Sequence, residues 1–221
     1  RVGADVTVAA PVPVTSGEVL MQRIAHDNQL AQSSGRAWAA MTAPGIDTLW
    51  GFENLTGSLL ADHLTGDGGN NVLKGLDGDD ILEGGLGINR LDGGDGLDLA
   101  SYAGAAAGVT VHLSAPGSSG GAGIDYFTSI EGLLGSAFAG TLVADAAANM
   151  LRGGAGNDRL FGQAGDDTLA GDSGDDQLNG GDGTDTADYT SAAGPLRVIL
   201  GTGGSVDTIS AGRDLLLSIE N

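Results

Sequence analysis

The feature that most restricts this chain is a nine-residue period. From Gly75 the sequence reads GLDGDDILE, GGLGINRLD and GGDGLDLAS, and from Gly153 it reads GGAGNDRLF, GQAGDDTLA, GDSGDDQLN and GGDGTDTAD. Each unit has glycine first and fourth, Asp or Asn sixth and an aliphatic residue eighth. The register extends back to GDGGNNVLK at Gly66 and a degraded GSLLADHLT at Gly57, while the second array opens with degraded units at Gly135 and Ala144. The eighth position holds Leu64, Leu73, Leu82, Leu91 and Ala100, then Leu142, Leu151, Leu160, Leu169, Leu178 and Ala187.

Nine residues of this kind have room for one short strand and one turn. The last three, such as Ile81 to Glu83, make a strand with a single inward leucine. The first six reverse the chain, and their glycines reach backbone conformations closed to other residues. Two units then close one coil of 18 residues, with strands on two opposite faces. Successive coils stack at the ordinary strand spacing of about 4.8 Å. Composition fits this: 41 glycines and only 4% aromatics leave little from which to build an interlocked side-chain core. Glycine without a three-residue period excludes collagen.

A longer repeat contains the shorter one. GIDTLWGFE at Gly45 returns as GIDYFTSIE at Gly123, GGDGLDLASY at Gly93 returns as GGDGTDTADY at Gly180, and VTVHL at Val109 matches LRVIL at Leu196. GRDLLLSIE at Gly212 opens a third copy, and ADVTV near Ala4 resembles the strand at Val109. The expected organisation is an N-terminal strand and helix insert over 1–44, a first spacer and array over 45–122, a second over 123–211, and the start of a third spacer over 212–221. Both ends read as cut from a larger array. Thr15 and Glu18 form a capping box before Val19, Leu20, Ile24 and Leu30, which predicts one helix near Ser16 to Ser34 with a docking or capping role. The fold class is therefore all-β, a parallel β-roll of two nonapeptide arrays with β spacers and one N-terminal helix.

Stacking decides the chemistry. Residues 18 apart lie above one another, so Asp62, Asp80 and Asp98 form one column, Asp158 and Asp176 another, and Asp167 sits over Asp185 on the opposite edge. Two carboxylates roughly 5 Å apart repel by about 3 kcal/mol at an effective dielectric near 20. A repeat that aligns like charges must place something positive between them. Carboxylates and backbone carbonyls are hard, flexible oxygen ligands, which favour Ca²⁺ over Zn²⁺, copper or Mg²⁺. Ordering nine backbone residues costs roughly 9–18 kcal/mol, and burying one leucine returns only about 2 kcal/mol. The metal-free array is therefore expected to be largely disordered.

The units resemble the RTX nonapeptide GGxGxDxUx, a calcium-binding β-helix repeat. The resemblance covers Gly57 to Tyr102 and Gly135 to Tyr189 and implies a right-handed parallel β-roll. By position it implies that the ligands are the sixth-position carboxylates Asp80, Asp98, Asp158, Asp167, Asp176 and Asp185, with Asp62 heading the first column. Fourth-position carbonyls of Gly78, Gly96, Gly156, Gly165, Gly174 and Gly183 assist, together with fifth-position Asp79, Asn157, Asp166 and Asp175. Asn71, Asn89 and Asn149 depart from the pattern, Gly140 lacks the side chain, and Leu60 and Phe138 replace the turn glycine. The second array is thus expected to hold more calcium.

The resemblance also implies type I secretion, with passage unfolded from a low-calcium cytosol and folding outside the cell or at its surface. The expected function is a non-enzymatic, calcium-binding segment of a larger secreted protein. The rival readings are a polysaccharide-binding, adhesin or surface-layer module, and an accessory region of a secreted enzyme such as a mannuronan epimerase or protease. A net charge of −20 makes nucleic acid and anionic membranes poor partners, and no stretch is apolar enough to span a bilayer. With no cysteine there are no disulfides or thiolate sites, and His26, His63 and His112 lack zinc spacing. Gly117 to Gly121 fits GxSxG but reads as a flexible Gly/Ser connector, so no catalytic constellation emerges. Tyr102 and Tyr189 close the arrays as packing caps.

Overall fold

The computed structural model describes residues 53–115, 122–193 and 212–220, with the backbone of three further strands at 39–40, 196–199 and 204–208. The strand expected near Ala4, the helix expected at Ser16 to Ser34 and the connector at Gly117 to Gly121 lie outside the described residues.

The chain is a parallel β-roll. One face is a seven-stranded sheet of β3 (His63–Thr65), β5 (Ile81–Glu83), β7 (Leu99–Ser101), β10 (Gly132–Leu134), β12 (Met150–Arg152), β14 (Thr168–Ala170) and β16 (Thr186–Ala187), in that spatial order. The opposite face carries two sheets. The first is β1 (Ala39–Ala40), β2 (Asn54–Thr56), β4 (Val72–Asp77), β6 (Ile88–Asp95) and β9 (Ile124–Thr128). The second runs β8 (Thr110–His112), β11 (Thr141–Val143), β13 (Arg159–Ala164), β15 (Gln177–Asp182), β19 (Arg213–Leu217), β18 (Gly204–Thr208) and β17 (Leu196–Ile199).

The register follows the 18-residue coil. Leu64 pairs with Leu82, and Leu151 with Leu169, on one face; Leu73 pairs with Leu91, and Leu142 with Leu160 and Leu160 with Leu178, on the other. These leucines are at most 2% exposed and form two facing columns that are the core. A single inward residue per strand is thus enough to make the interior dry, each leucine contributing about 2 kcal/mol.

Several strands exceed the expected three residues. On the face opposite the seven-stranded sheet, β4, β6, β13 and β15 run six to eight residues, through the following glycine corner. Pairing survives there because stacked corners bend alike: Leu76 and Gly94 both have positive φ, as do Gln163 and Gly181, and each pair is in register.

The spacers alter the stack rather than interrupt it. After β7 the chain crosses over as β8 and returns as β9, which pairs with β6, while β8 pairs with β11. Strand β10 pairs with both β7 and β12, so the seven-stranded sheet runs unbroken through both arrays. At the start of the third spacer β19 stacks on β15 as β9 of the second stacks on β6, but β17 reaches it through antiparallel β18. Among the described residues no helix is long and apolar enough to cross a membrane.

Candidate metal centre

The sixth-position aspartates of the regular units sit at the corner just before a strand, with their side chains buried. Asp80, Asp98, Asp158, Asp167, Asp176 and Asp185 are at most 3% exposed. The expected columns are physically linked. The N–H of Asp62 donates to Asp80 Oδ1 (2.7 Å), and that of Asp80 to Asp98 Oδ1 (2.8 Å). In the second array the N–H groups of Gly140 and Asp158 donate to Oδ1 of Asp158 (2.6 Å) and Asp176 (2.8 Å). On the opposite edge Asn149 and Asp167 donate to Asp167 (2.8 Å) and Asp185 (2.9 Å). Each carboxylate therefore takes the amide of the coil before it, a charge-assisted bond.

That leaves the second oxygen. Oδ2 of Asp80, Asp98, Asp158, Asp167, Asp176 and Asp185 is buried without a hydrogen-bond partner. Burying a charged oxygen without compensation is costly. Burial, with a contribution from neighbouring carboxylates and against the backbone hydrogen bond, pushes Asp80 and Asp167 up to about 6 and Asp176 to about 7. Burial likewise takes Asp158 to about 6 and raises Asp98 and Asp185.

The first glycine of each unit shows where these oxygens point. A Cβ on Gly153 would stand 2.6 Å from Asp158 Oδ2 and 2.9 Å from the carbonyl oxygen of Gly171, in the next coil. The same pairing of carboxylate and carbonyl recurs at Gly75 with Asp80 and Gly93, and at Gly162 with Asp167 and Gly180. The missing side chain keeps open a recess lined by oxygen. These first-position carbonyls were not among the expected ligands, although the regularity of the first glycine is the signal that points to them.

The other expected residues are placed as follows. Gly78, Gly96, Gly156, Gly165, Gly174 and Gly183 all have positive φ, between 104° and 148°. The carbonyls of Gly78, Gly156 and Gly165 point along the stack at Gly96, Gly174 and Gly183, where a Cβ would collide with them. The fifth-position side chains form a separate outer ladder running the other way. Oδ1 of Asp79, Asn157, Asp166 and Asp175 accepts from the N–H of Leu97 (2.9 Å), Asp175 (3.1 Å), Thr184 (2.8 Å) and Arg213 (2.8 Å). Asp62 is only partly buried, and its Oδ2 accepts from the N–H of Ser58. Where Leu60 and Phe138 replace the turn glycine, the hydroxyls of Ser58 and Ser136 brace the corner instead.

Four spacer residues complete the ladders and were not foreseen. Asp98 N–H donates to Glu131 Oε2 (2.9 Å), Asp185 N–H to Glu220 Oε2 (2.9 Å), and Asp176 N–H to Asp214 Oδ1 (3.0 Å). Asp125 meets the Asn71–Asn89 edge through Asn89 Nδ2 (2.8 Å). Tyr102 and Tyr189 are more than packing caps, since their hydroxyls donate to Oδ2 of Asp125 (2.7 Å) and Asp214 (2.8 Å). Burial, followed by the Asp214 hydrogen bond, raises the Tyr189 phenol far above its ordinary range.

A family described as the RTX calcium-binding nonapeptide repeat matches in four copies, over residues 56–91, 75–100, 134–169 and 152–187. The two arrays are RTX repeats. Comparison with curated proteins found no match. The RTX match coincides with the turns that carry the orphaned oxygens. Those turns fit a hard divalent cation: the polar atoms nearest the recess are carboxylate and carbonyl oxygens. Among the described residues no three acidic or histidine side chains gather as a metal cluster. Any ion held here therefore relies on backbone carbonyls beside the carboxylates.

Proposed function

We propose that this chain is a calcium-responsive folding segment of a larger secreted protein, ordered by Ca²⁺ outside the cell and without catalysis of its own. One observation carries the reading: the buried Oδ2 atoms without partners occur at the sixth position of RTX turns and at no other buried side chain among the described residues. The residues that would hold the ion are Asp80 and Asp98 in the first array, and Asp158, Asp176, Asp167 and Asp185 in the second. First- and fourth-position glycine carbonyls supply the neutral ligands. The bound ion supplies positive charge between stacked carboxylates, whose repulsion and desolvation otherwise oppose folding. The chain's own contribution is to hold Oδ1 on the preceding amide, which leaves Oδ2 aimed into the recess. Extracellular modules bind calcium at about 10⁻⁴–10⁻³ M, a range that suits a chain unfolded in the cytosol and folded outside.

The test is circular dichroism and calorimetric titration of the chain in chelator and then in millimolar Ca²⁺. The expected result is a gain of β signal together with saturable, multi-site binding, and Mg²⁺ should not substitute. A full β spectrum in excess chelator at neutral pH, unchanged by calcium, would overturn the reading.

A further inference from the structure

One edge of the first array lacks the orphaned oxygens. Its sixth-position residues are Asn71 and Asn89, and the spacer adds Asp125. Asn89 is fully buried, and its Oδ1 accepts from the N–H of Asn71 (2.9 Å), which fixes the orientation of the amide. Its Nδ2 therefore faces the turn, 2.8 Å from Asp125 Oδ1 and 3.4 Å from the carbonyls of Gly85 and Leu86. A Cβ on Gly84 would stand 2.7 Å from this Nδ2 and 2.9 Å from Asp125 Oδ1. That is the same first-glycine recess in which Gly153 has Asp158 Oδ2 and the Gly171 carbonyl as neighbours. Here a nitrogen donor sits among the oxygens. The other oxygen of Asp125 accepts from the Tyr102 hydroxyl (2.7 Å), so this buried carboxylate has a side-chain donor on each oxygen.

We propose that the Asn89 carboxamide takes the place of a cation, and that it seals the turn between Asn89 and Asp125 without metal. On the opposite edge Asn149 is turned the other way, its Oδ1 accepting from the N–H of Asp145 in its own turn (3.2 Å) and its Nδ2 donating back to the Glu131 carbonyl (3.1 Å). The spacer is thus anchored by hydrogen bonds where it meets the stack, and calcium governs the aspartate turns on either side of it. A carboxamide presents donors to the oxygens that a carboxylate can only repel. The substitution therefore converts a site that needs an ion into one that excludes it. This inference rests on the calcium reading given above.

Two measurements on the full chain test it. Native mass spectrometry in calcium should show Asn89→Asp holding one more ion than the parent chain, and Asn89→Leu holding no more. An unchanged count for Asn89→Asp overturns the proposal. Hydrogen exchange of the parent chain in excess chelator should leave the amides of Asn71 and its neighbours in β4 at least tenfold more protected than those of Asp158 and Asp176. Equal exchange at both edges overturns it too. Should the parent chain bind no calcium at all, the reading of the aspartate turns fails. The exchange comparison still decides whether the asparagine edge closes on its own.

Discussion

Acid should replace calcium. In the ion-free roll, burial lifts Asp80, Asp158 and Asp167 from 3.8 to about 6, and Asp176 from 3.8 to about 7. The folded chain then binds protons that the unfolded chain has already released. Stability therefore falls as pH rises from the unfolded value near 4 through the folded values, and the handicap is complete above about pH 7. A shift of two units corresponds to about 3 kcal/mol and one of three units to about 4 kcal/mol. Together these four carboxylates cost the ion-free fold of order 10 kcal/mol at neutral pH, less what solvent screening at the turn surface removes. That is comparable with the whole stability of an ordinary domain, about 5–15 kcal/mol. Far-UV circular dichroism in excess chelator should show β signal growing as pH drops from about 7.5 to about 5. Dilute samples monitored by light scattering guard against aggregation near the isoelectric point of about 4.1. Saturating calcium at neutral pH should restore the same spectrum. A chelated chain equally ordered at both pH values, or more ordered at the higher one, would refute the reasoning.

Four substitutions probe separate parts of the structure. Gly171→Ala places a Cβ against the Asp176 carboxylate and should weaken calcium binding at least tenfold in a titration. Gly68→Ala has open space within 4 Å and should change stability by no more than about 0.5 kcal/mol. Leu160→Ala removes a fully buried side chain between Leu142 and Leu178 and should cost about 2–5 kcal/mol in denaturant unfolding with calcium present. Tyr189→Phe deprives Asp214 Oδ2 of its donor and should cost about 1–3 kcal/mol in the same assay.

The period of nine was legible because it acts locally. Every coil repeats the one before, so the inward leucines, the 18-residue register and the alignment of Asp80 with Asp98 or Asp158 with Asp176 follow from counting. What the spacers do was not legible. Asp125, Glu131, Asp214 and Glu220 finish the ladders only because β9 and β19 return to the stack after long excursions. Asp214, for example, meets an amide 38 residues earlier in the chain. A clue was present, since GIDYFTSIE and GRDLLLSIE both keep Asp third and Glu ninth. Sequence comparison shows such a match without saying which coil it will cap. The Asn89 departure reads in sequence as a weakened ligand; only the orientation of its amide shows a donor filling the recess.

The two faces of the roll differ mechanically. Along one, hydrogen bonds link every strand from β3 to β16 without a gap, a spine shared by both arrays. On the other, the ladder stops at β9 and restarts at β8, a seam. A rod with a spine on one side and a seam on the other is stiff in tension along the first and yields by opening the second. Load applied to the ends should therefore bend this protein about the spacer, in one preferred direction, before any nonapeptide gives way.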